Sequence, residues 1–159
     1  MAFTAYSTVT EVEESMPTLM RAIAPNSGQF SDSTIIKRSA VERQLVHASA
    51  QLNMALTGAG VSVPLTTSNA KQWAEAVVLD YVVGWVYQDY SRAGEQGDVT
   101  GEELQKRFTT TIDHIKKDPE FWRNALAGQQ DQGARTLGSA GAKGEFRDPV
   151  YKMGSDNHF

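Results

Sequence analysis

Three histidines, His47, His114 and His158, and one carboxylate set in an apolar stretch, Asp80, are the side chains best equipped for proton transfer or metal binding in this chain. Their spacing argues against both. No HxxxH or HExxH pattern places two imidazoles on one helix face, as a zinc site needs. Asp113 and His114 are the one adjacent acid–base pair. Neighbours on a helix point about 100° apart, so they do not form a dyad. Both read as surface residues, and His47 as a polar flank residue. Asp80 reads as a carboxylate at a helix surface or paired with an arginine of a neighbouring element; catalysis would require a partner that the sequence does not show. The absence of cysteine excludes disulfides, thiolate zinc sites and a cysteine nucleophile. GAGVSVP, residues 58–64, follows a helical pattern rather than a strand, so it lacks the context of a dinucleotide-binding turn. No enzymatic activity, cofactor or metal is expected.

A length of 159 residues suits one domain with a tail. Apolar content of 40% and charged content of 21% are ordinary for a globular protein. The net charge of −4 argues against coating nucleic acid, which needs a clustered positive field. Lys37–Arg38 and Lys106–Arg107 are short basic pairs that solvated helix faces explain. The N-terminal residues carry no basic leader and no apolar run, so no secretion signal is expected. The most apolar run, residues 74–88, falls short of the ~20 residues of a membrane span and contains Asp80. It reads as a buried helix.

The elements that would position these residues are helical. Thr8 and Glu11 fit a capping box, and Pro17 should divide the first segment into two short helices with Leu19, Met20 and Ile23 facing inward. Ser31, Asp32 and Ser33 are candidate N-caps for a long helix over about 34–57. Its stripe is Val41, Leu45, Ala48, Leu52 and Leu56, and Gly58 or Gly60 would terminate it. Ser68 or Asn69 would cap a third helix, about 70–92, apolar on several faces. Trp73, Val77, Tyr81 and Trp85 are its expected core stripe. Gly84 interrupts it at a cost of ~1 kcal/mol of propensity, which suggests the close approach of another backbone. Thr100 and Glu103 suggest a second capping box, followed by the stripe Leu104, Phe108, Ile112 and Ile115 up to Lys116–Lys117. Asp118–Pro119 opens a short helix that ends at Gly128. The core should include Leu45, Leu52, Trp73, Val77, Tyr81, Trp85, Phe108 and Ile112. The reading is a mainly α fold: a small bundle with two long helices and a short extended connector over residues 1–127. A Gly-rich C-terminal tail follows over 128–159, with too little apolar surface for its own core.

Between the long helices, VSVPL alternates and holds a proline, so it could pair at a sheet edge or project towards a neighbouring subunit. The whole order is an entry beginning at Tyr6, a long helix DSTIIKRSAVERQLVHASAQLNMALTG, the connector VSVPL ending in Pro64 and Leu65, and a second long helix AKQWAEAVVLDYVVGWVY. It resembles the head–tail connector, or adaptor, proteins of long-tailed bacteriophages over roughly residues 5–92, and loosely through Asp118. The long C-terminal extension and the DPEFW helix depart from many members. The resemblance implies a structural virion protein without catalytic activity. It would be a homo-oligomeric ring, usually twelvefold in the family, bound below the portal protein at the capsid vertex and made in the host cytoplasm. Such a ring lengthens the DNA channel and carries the tail, a stopper or a tail-completion protein. DNA would pass through the lumen without sequence-specific binding, which suits an acidic chain; no membrane is involved.

On that reading the connector residues Gly58, Gly60, Val61, Val63, Pro64 and Leu65 would line the lumen or touch a neighbouring subunit. The tail residues Phe146, Arg147, Val150, Tyr151, Lys152 and Phe159 would dock on the portal or an adjacent subunit, with Pro149 holding Asp148 extended. Alternatives are another phage assembly component, such as a tail-completion or tail-terminator protein, or a small helical binding or regulatory module. The last would want a basic recognition helix, which the sequence lacks.

Overall fold

The computed structural model describes residues 5–92 and 99–126, and these residues form helices joined by short irregular segments. In chain order the helices are α1 (Val9–Ser15), α2 (Pro17–Ile23), α3 (Arg38–Gly58), α4 (Ser68–Arg92), α5 (Val99–Lys117) and α6 (119–126). The mainly α fold expected from the sequence is the fold observed. Residues 93–98 and the expected tail lie outside the described residues.

Thr8 caps α1 as its spacing predicts. Its side chain accepts from the Glu11 N–H, and the Glu11 carboxylate accepts from the Thr8 N–H at 2.7 Å. Burial acts to raise the Glu11 pKa, but the hydrogen bonds from Thr8 and Ser7 outweigh it and hold the carboxyl below its ordinary value. Pro17 opens α2 at a position where no N–H is needed. Met20 and Ile23 are buried, and Leu19 packs half-buried at the edge of the core.

The start of α3 corrects the expected caps. The helix begins at Arg38, and Lys37 precedes it without a side-chain cap. Ser31 to Thr34 instead close a turn of their own: the Thr34 hydroxyl accepts from the Ser31 N–H at 3.0 Å, and the Ser31 hydroxyl accepts from the Ser33 N–H at 3.3 Å. Short hydroxyl side chains bond the nearest backbone groups and so compete with helix. Ile36, 1% exposed, plugs the core just ahead of the helix. The carboxylate of buried Glu13 accepts from the Phe30 N–H at 2.7 Å and fastens this loop to α1.

The α3 stripe of Val41, Leu45, Ala48, Leu52 and Leu56 is buried as expected. The α4 stripe differs. Ala70, Ala74, Val78, Val82 and Val86 are each 0% exposed, whereas Trp73, Tyr81 and Trp85 are only half-buried. Small residues let neighbouring helices come close, and the large aromatics straddle the rim. Ser68 and Asn69 also lie inside α4 rather than capping it; the Thr67 carbonyl accepts from the Lys71 N–H at 2.9 Å. Thr100 likewise sits within the first described turn of α5 rather than ahead of it.

Helix α4 packs most extensively on α5. Gly84 and Gly101 meet at their crossing: a Cβ on Gly84 would lie 2.8 Å from the Gly101 carbonyl oxygen, and one on Gly101 would lie 2.9 Å from that of Gly84. The close backbone approach expected at Gly84 is therefore real, with Gly101 as its counterpart. Asp118 caps α6, accepting from the Phe121 N–H at 3.1 Å. Leu126 is buried, while Ala125 is exposed.

Candidate docking surfaces

The connector between the long helices begins with a defined helix stop. Gly60 takes a positive φ of 78°, the Val61 N–H donates to the Leu56 carbonyl at 2.9 Å, and the Gly60 N–H donates to the Thr57 carbonyl at 3.0 Å. This is the paired termination that favours glycine at the left-handed position. Gly58 is the last residue of α3, so Gly60 supplies the terminator. The turn drives Val61 into the core, 7% exposed.

From there the connector is tacked down rather than paired in a sheet. Leu65 is 1% exposed, and its N–H donates to the Tyr6 hydroxyl at 3.2 Å. Tyr6 donates in turn to the Asn53 side-chain oxygen at 2.6 Å, and its own N–H donates to the Ser49 hydroxyl at 3.1 Å. Burial is the largest influence on the Tyr6 phenol and raises its pKa, so it stays protonated and keeps donating. One side chain thus joins the N-terminal entry, α3 and the connector. Among the expected connector residues, Val61 and Leu65 belong to the core and Val63 is half-buried. Gly58, Gly60 and Pro64 face outward, and the Val63–Pro64 peptide is cis. The surface this segment offers another molecule is narrower than the sequence suggests. Phe146, Arg147, Val150, Tyr151, Lys152 and Phe159 lie outside the described residues.

The residues weighed for chemistry are dispersed. Asp80 borders an open cleft between α4 and α5, with Glu103, Lys106, Arg107, Thr110 and Thr111. Burial raises its pKa and the Arg107 charge partly offsets that. The arginine from a neighbouring element is thus present, without a direct ion pair between the two among the described residues. His114 serves packing: its Nδ1 accepts from the Trp122 indole N–H at 3.1 Å, and its ring meets Phe121 and Trp122 edge-on at 6.1 and 5.9 Å. Trp122 also packs on Trp73, with centroids 5.0 Å apart. Helix α6 is held to α5 and α4 by this aromatic set. No group of three or more potential metal-ligating side chains occurs among the described residues. No described helix is long and apolar enough to cross a membrane.

The feature that pattern reading missed is a furrow along α3. At one end, Ala40, Arg43, Gln44 and His47 face Tyr81 and Trp85 across a cleft of about 520 Å³. At the other, Gln51, Met54, Ala55 and Gly58 face Ile112, Ile115, Lys116 and Pro119 across a cleft of about 480 Å³. His47 and Gln51 touch at 3.3 Å and bridge the two. Residues 40, 44, 47, 51, 54 and 58 recur at intervals of three and four, so they share one helix face. That face mixes polar residues with Ala40, Met54 and Gly58, which is why no hydrophobic stripe announces it. Met54 is 75% exposed.

No family model, no curated protein and no solved structure matches this chain.

Proposed function

We propose that this chain is a head–tail connector, or adaptor, of a long-tailed bacteriophage. It would form a homo-oligomeric ring below the portal protein, extend the DNA channel and present the platform for the tail, a stopper or a tail-completion protein. The observation that carries the reading is the α3–connector–α4 unit. Two long helices, Arg38–Gly58 and Ser68–Arg92, are joined by a non-helical connector containing Pro64 and Leu65, with the Tyr6 entry bound into it. This is the order of elements on which the resemblance rests, and the Tyr6 bonds give that order a physical cause.

Two further features support the reading. A closed ring requires a heterologous interface, in which two different patches of the same chain meet. On α3, Val46 is 46% exposed and Met54, at the furrow, is 75% exposed, and Phe121 on α6 is 53% exposed. These are exposed apolar groups on different elements. The acidic balance of the chain suits a lumen that passes DNA without gripping it.

The tail would supply portal binding through Phe146, Val150, Tyr151 and Phe159, flanked by Arg147 and Lys152. Deleting residues 129–159 tests this. The truncated protein should keep its helical circular dichroism and fail to co-sediment with portal-bearing capsids. Undiminished co-sedimentation would reject the tail as the docking element.

A further inference from the structure

Helix α6 lies across the ends of three other elements. Trp122 packs on Trp73 of α4 with ring centroids 5.0 Å apart, and Leu126 is buried. The Arg123 side chain passes the stop of α3, where a Cβ on Gly60 would lie 3.6 Å from its Cδ. On α5, His114 Nδ1 accepts from the Trp122 indole N–H at 3.1 Å. We propose that this last bond makes α6 an acid-released latch: neutral His114 holds the helix against α5, and a proton on Nδ1 lets it go. The latch requires no capsid vertex.

The donor inventory dictates the sign. An indole nitrogen can only donate, so Nδ1 must present its lone pair and the ring hydrogen must sit on Nε2. Protonation replaces that lone pair with a second N–H, and two donors then face each other where one bond stood. Histidine is the side chain whose charge ordinarily changes between about pH 5 and 8. His114 is exposed, so a proton reaches it without unfolding. It also sits in the last turn of α5, where free carbonyls favour positive charge. The helix end thus accommodates the charged ring while the bond to α6 does not survive it.

The neighbouring charges do not substitute for the lost lone pair. On α5, Asp113, Lys116 and Lys117 lie within three positions of His114. Asp118 already accepts from the Phe121 N–H. On α6, Glu120 and Arg123 pair with each other at 3.7 Å. Towards α4, Asp80 and Arg107 border a cleft that reaches Thr110 and Thr111, one turn before His114. Carboxylates ordinarily titrate about two pH units below histidine, so the pH of release distinguishes them from the imidazole. Release would uncover the Trp73 ring and the seat of Leu126 while α3, α4 and α5 stay packed.

Amide hydrogen exchange of the full chain, corrected for the intrinsic effect of pH, tests the latch. From pH 8 to pH 5.5, protection over Trp122–Leu126 should fall about threefold to tenfold, as the loss of one hydrogen bond implies. Protection over Leu45–Leu52 of α3 should stay constant. His114→Ala and His114→Asn should each abolish the pH response, the first because α6 is unlatched throughout, the second because an amide oxygen accepts at either pH. Nitrogen-15 spectra of the His114 ring at pH 8 should place its hydrogen on Nε2. A change below twofold in the unsubstituted chain would overturn the proposal, as would a hydrogen on Nδ1 at pH 8. A pH response that survives in both variants would assign it to another group, and a fall shared equally by α3 would mark general loosening; either result rejects the latch.

Discussion

Helix α4 has two very different sides. Against α5, Gly84 and Gly101 bring backbones so close that each added Cβ would fall within 3 Å of the other's carbonyl oxygen. Against α3, half-buried Tyr81 and Trp85 stand at a furrow open to solvent. The first side is specified by what the residues lack, and the second by bulk that cannot be wholly buried. A tight crossing has one solution and resists change, because packed interiors cannot absorb even a methyl group without strain. A furrow keeps apolar surface available for another segment. Stability should therefore concentrate on the α4–α5 side and at the buried α3 stripe, and binding along the furrow.

The largest expected effect is in the stripe that both sides depend on. Leu52 is 0% exposed, and Leu52→Ala should cost ~2–5 kcal/mol in chemical denaturation. A loss too small to measure would show that the core is not organised around α3. Gly84→Val comes next. Its branched side chain would meet the Gly101 carbonyl oxygen and the side chains of Leu104 and Gln105. Overpacking of this kind costs ~1–3 kcal/mol, less the few tenths to ~1 kcal/mol that helix propensity returns. Unchanged stability would mean the crossing is looser than its geometry. In contrast, Met54→Ser in the furrow should change stability by no more than ~0.5 kcal/mol.

Tyr6→Phe addresses the connector. It removes the hydroxyl that donates to Asn53 and accepts from the Leu65 N–H. A loss of ~1–3 kcal/mol is expected, because the Leu65 N–H is left without that partner at a buried residue. No loss would show that this hydroxyl does not couple the N-terminal entry to the connector.

The smallest effect is electrostatic. Burial raises the Asp80 pKa in the folded protein, so its charged form is less favoured there than in the unfolded chain. Stability from this group is fully present below its unfolded pKa and is lost as pH rises through the folded value. Asp80→Asn should then stabilise slightly at neutral pH, and the advantage should vanish in acid. Glu11 has the opposite sign: its pKa is lowered, so its contribution is present above the unfolded value and fades as pH falls. Melting temperatures of Asp80→Asn and Glu11→Gln across the acid range would separate the two.

The sequence made the helices legible where one signal dominated. The Thr8–Glu11 box, the Pro17 break, the α3 stripe and the Asp118 cap follow local rules that tertiary packing did not override. Among the readings that failed, two have identifiable reasons. Ser31, Asp32 and Ser33 have the composition of a helix cap, but the hydroxyls of this stretch close a local turn first. Trp73, Tyr81 and Trp85 have the spacing and hydrophobicity of a core stripe, yet the alanines and valines beside them pack tighter and take the interior. The furrow was not legible, because its α3 face mixes histidine, glutamine, alanine, methionine and glycine, with no periodic apolar signal. Its character comes from what α4 and α5 bring alongside. The connector was half legible: Gly60 and Pro64 mark a stop and a turn, but nothing local shows that Tyr6, 59 positions before Leu65, holds it.

The proposed role at the capsid vertex is tested most directly by negative-stain microscopy of the purified protein with and without its cognate portal ring. Added density should cap one end of the portal as a closed ring of this chain. A monomer in the absence of portal is compatible with assembly on that template. Portal rings that remain bare at both ends in the presence of excess folded protein would contradict the connector role.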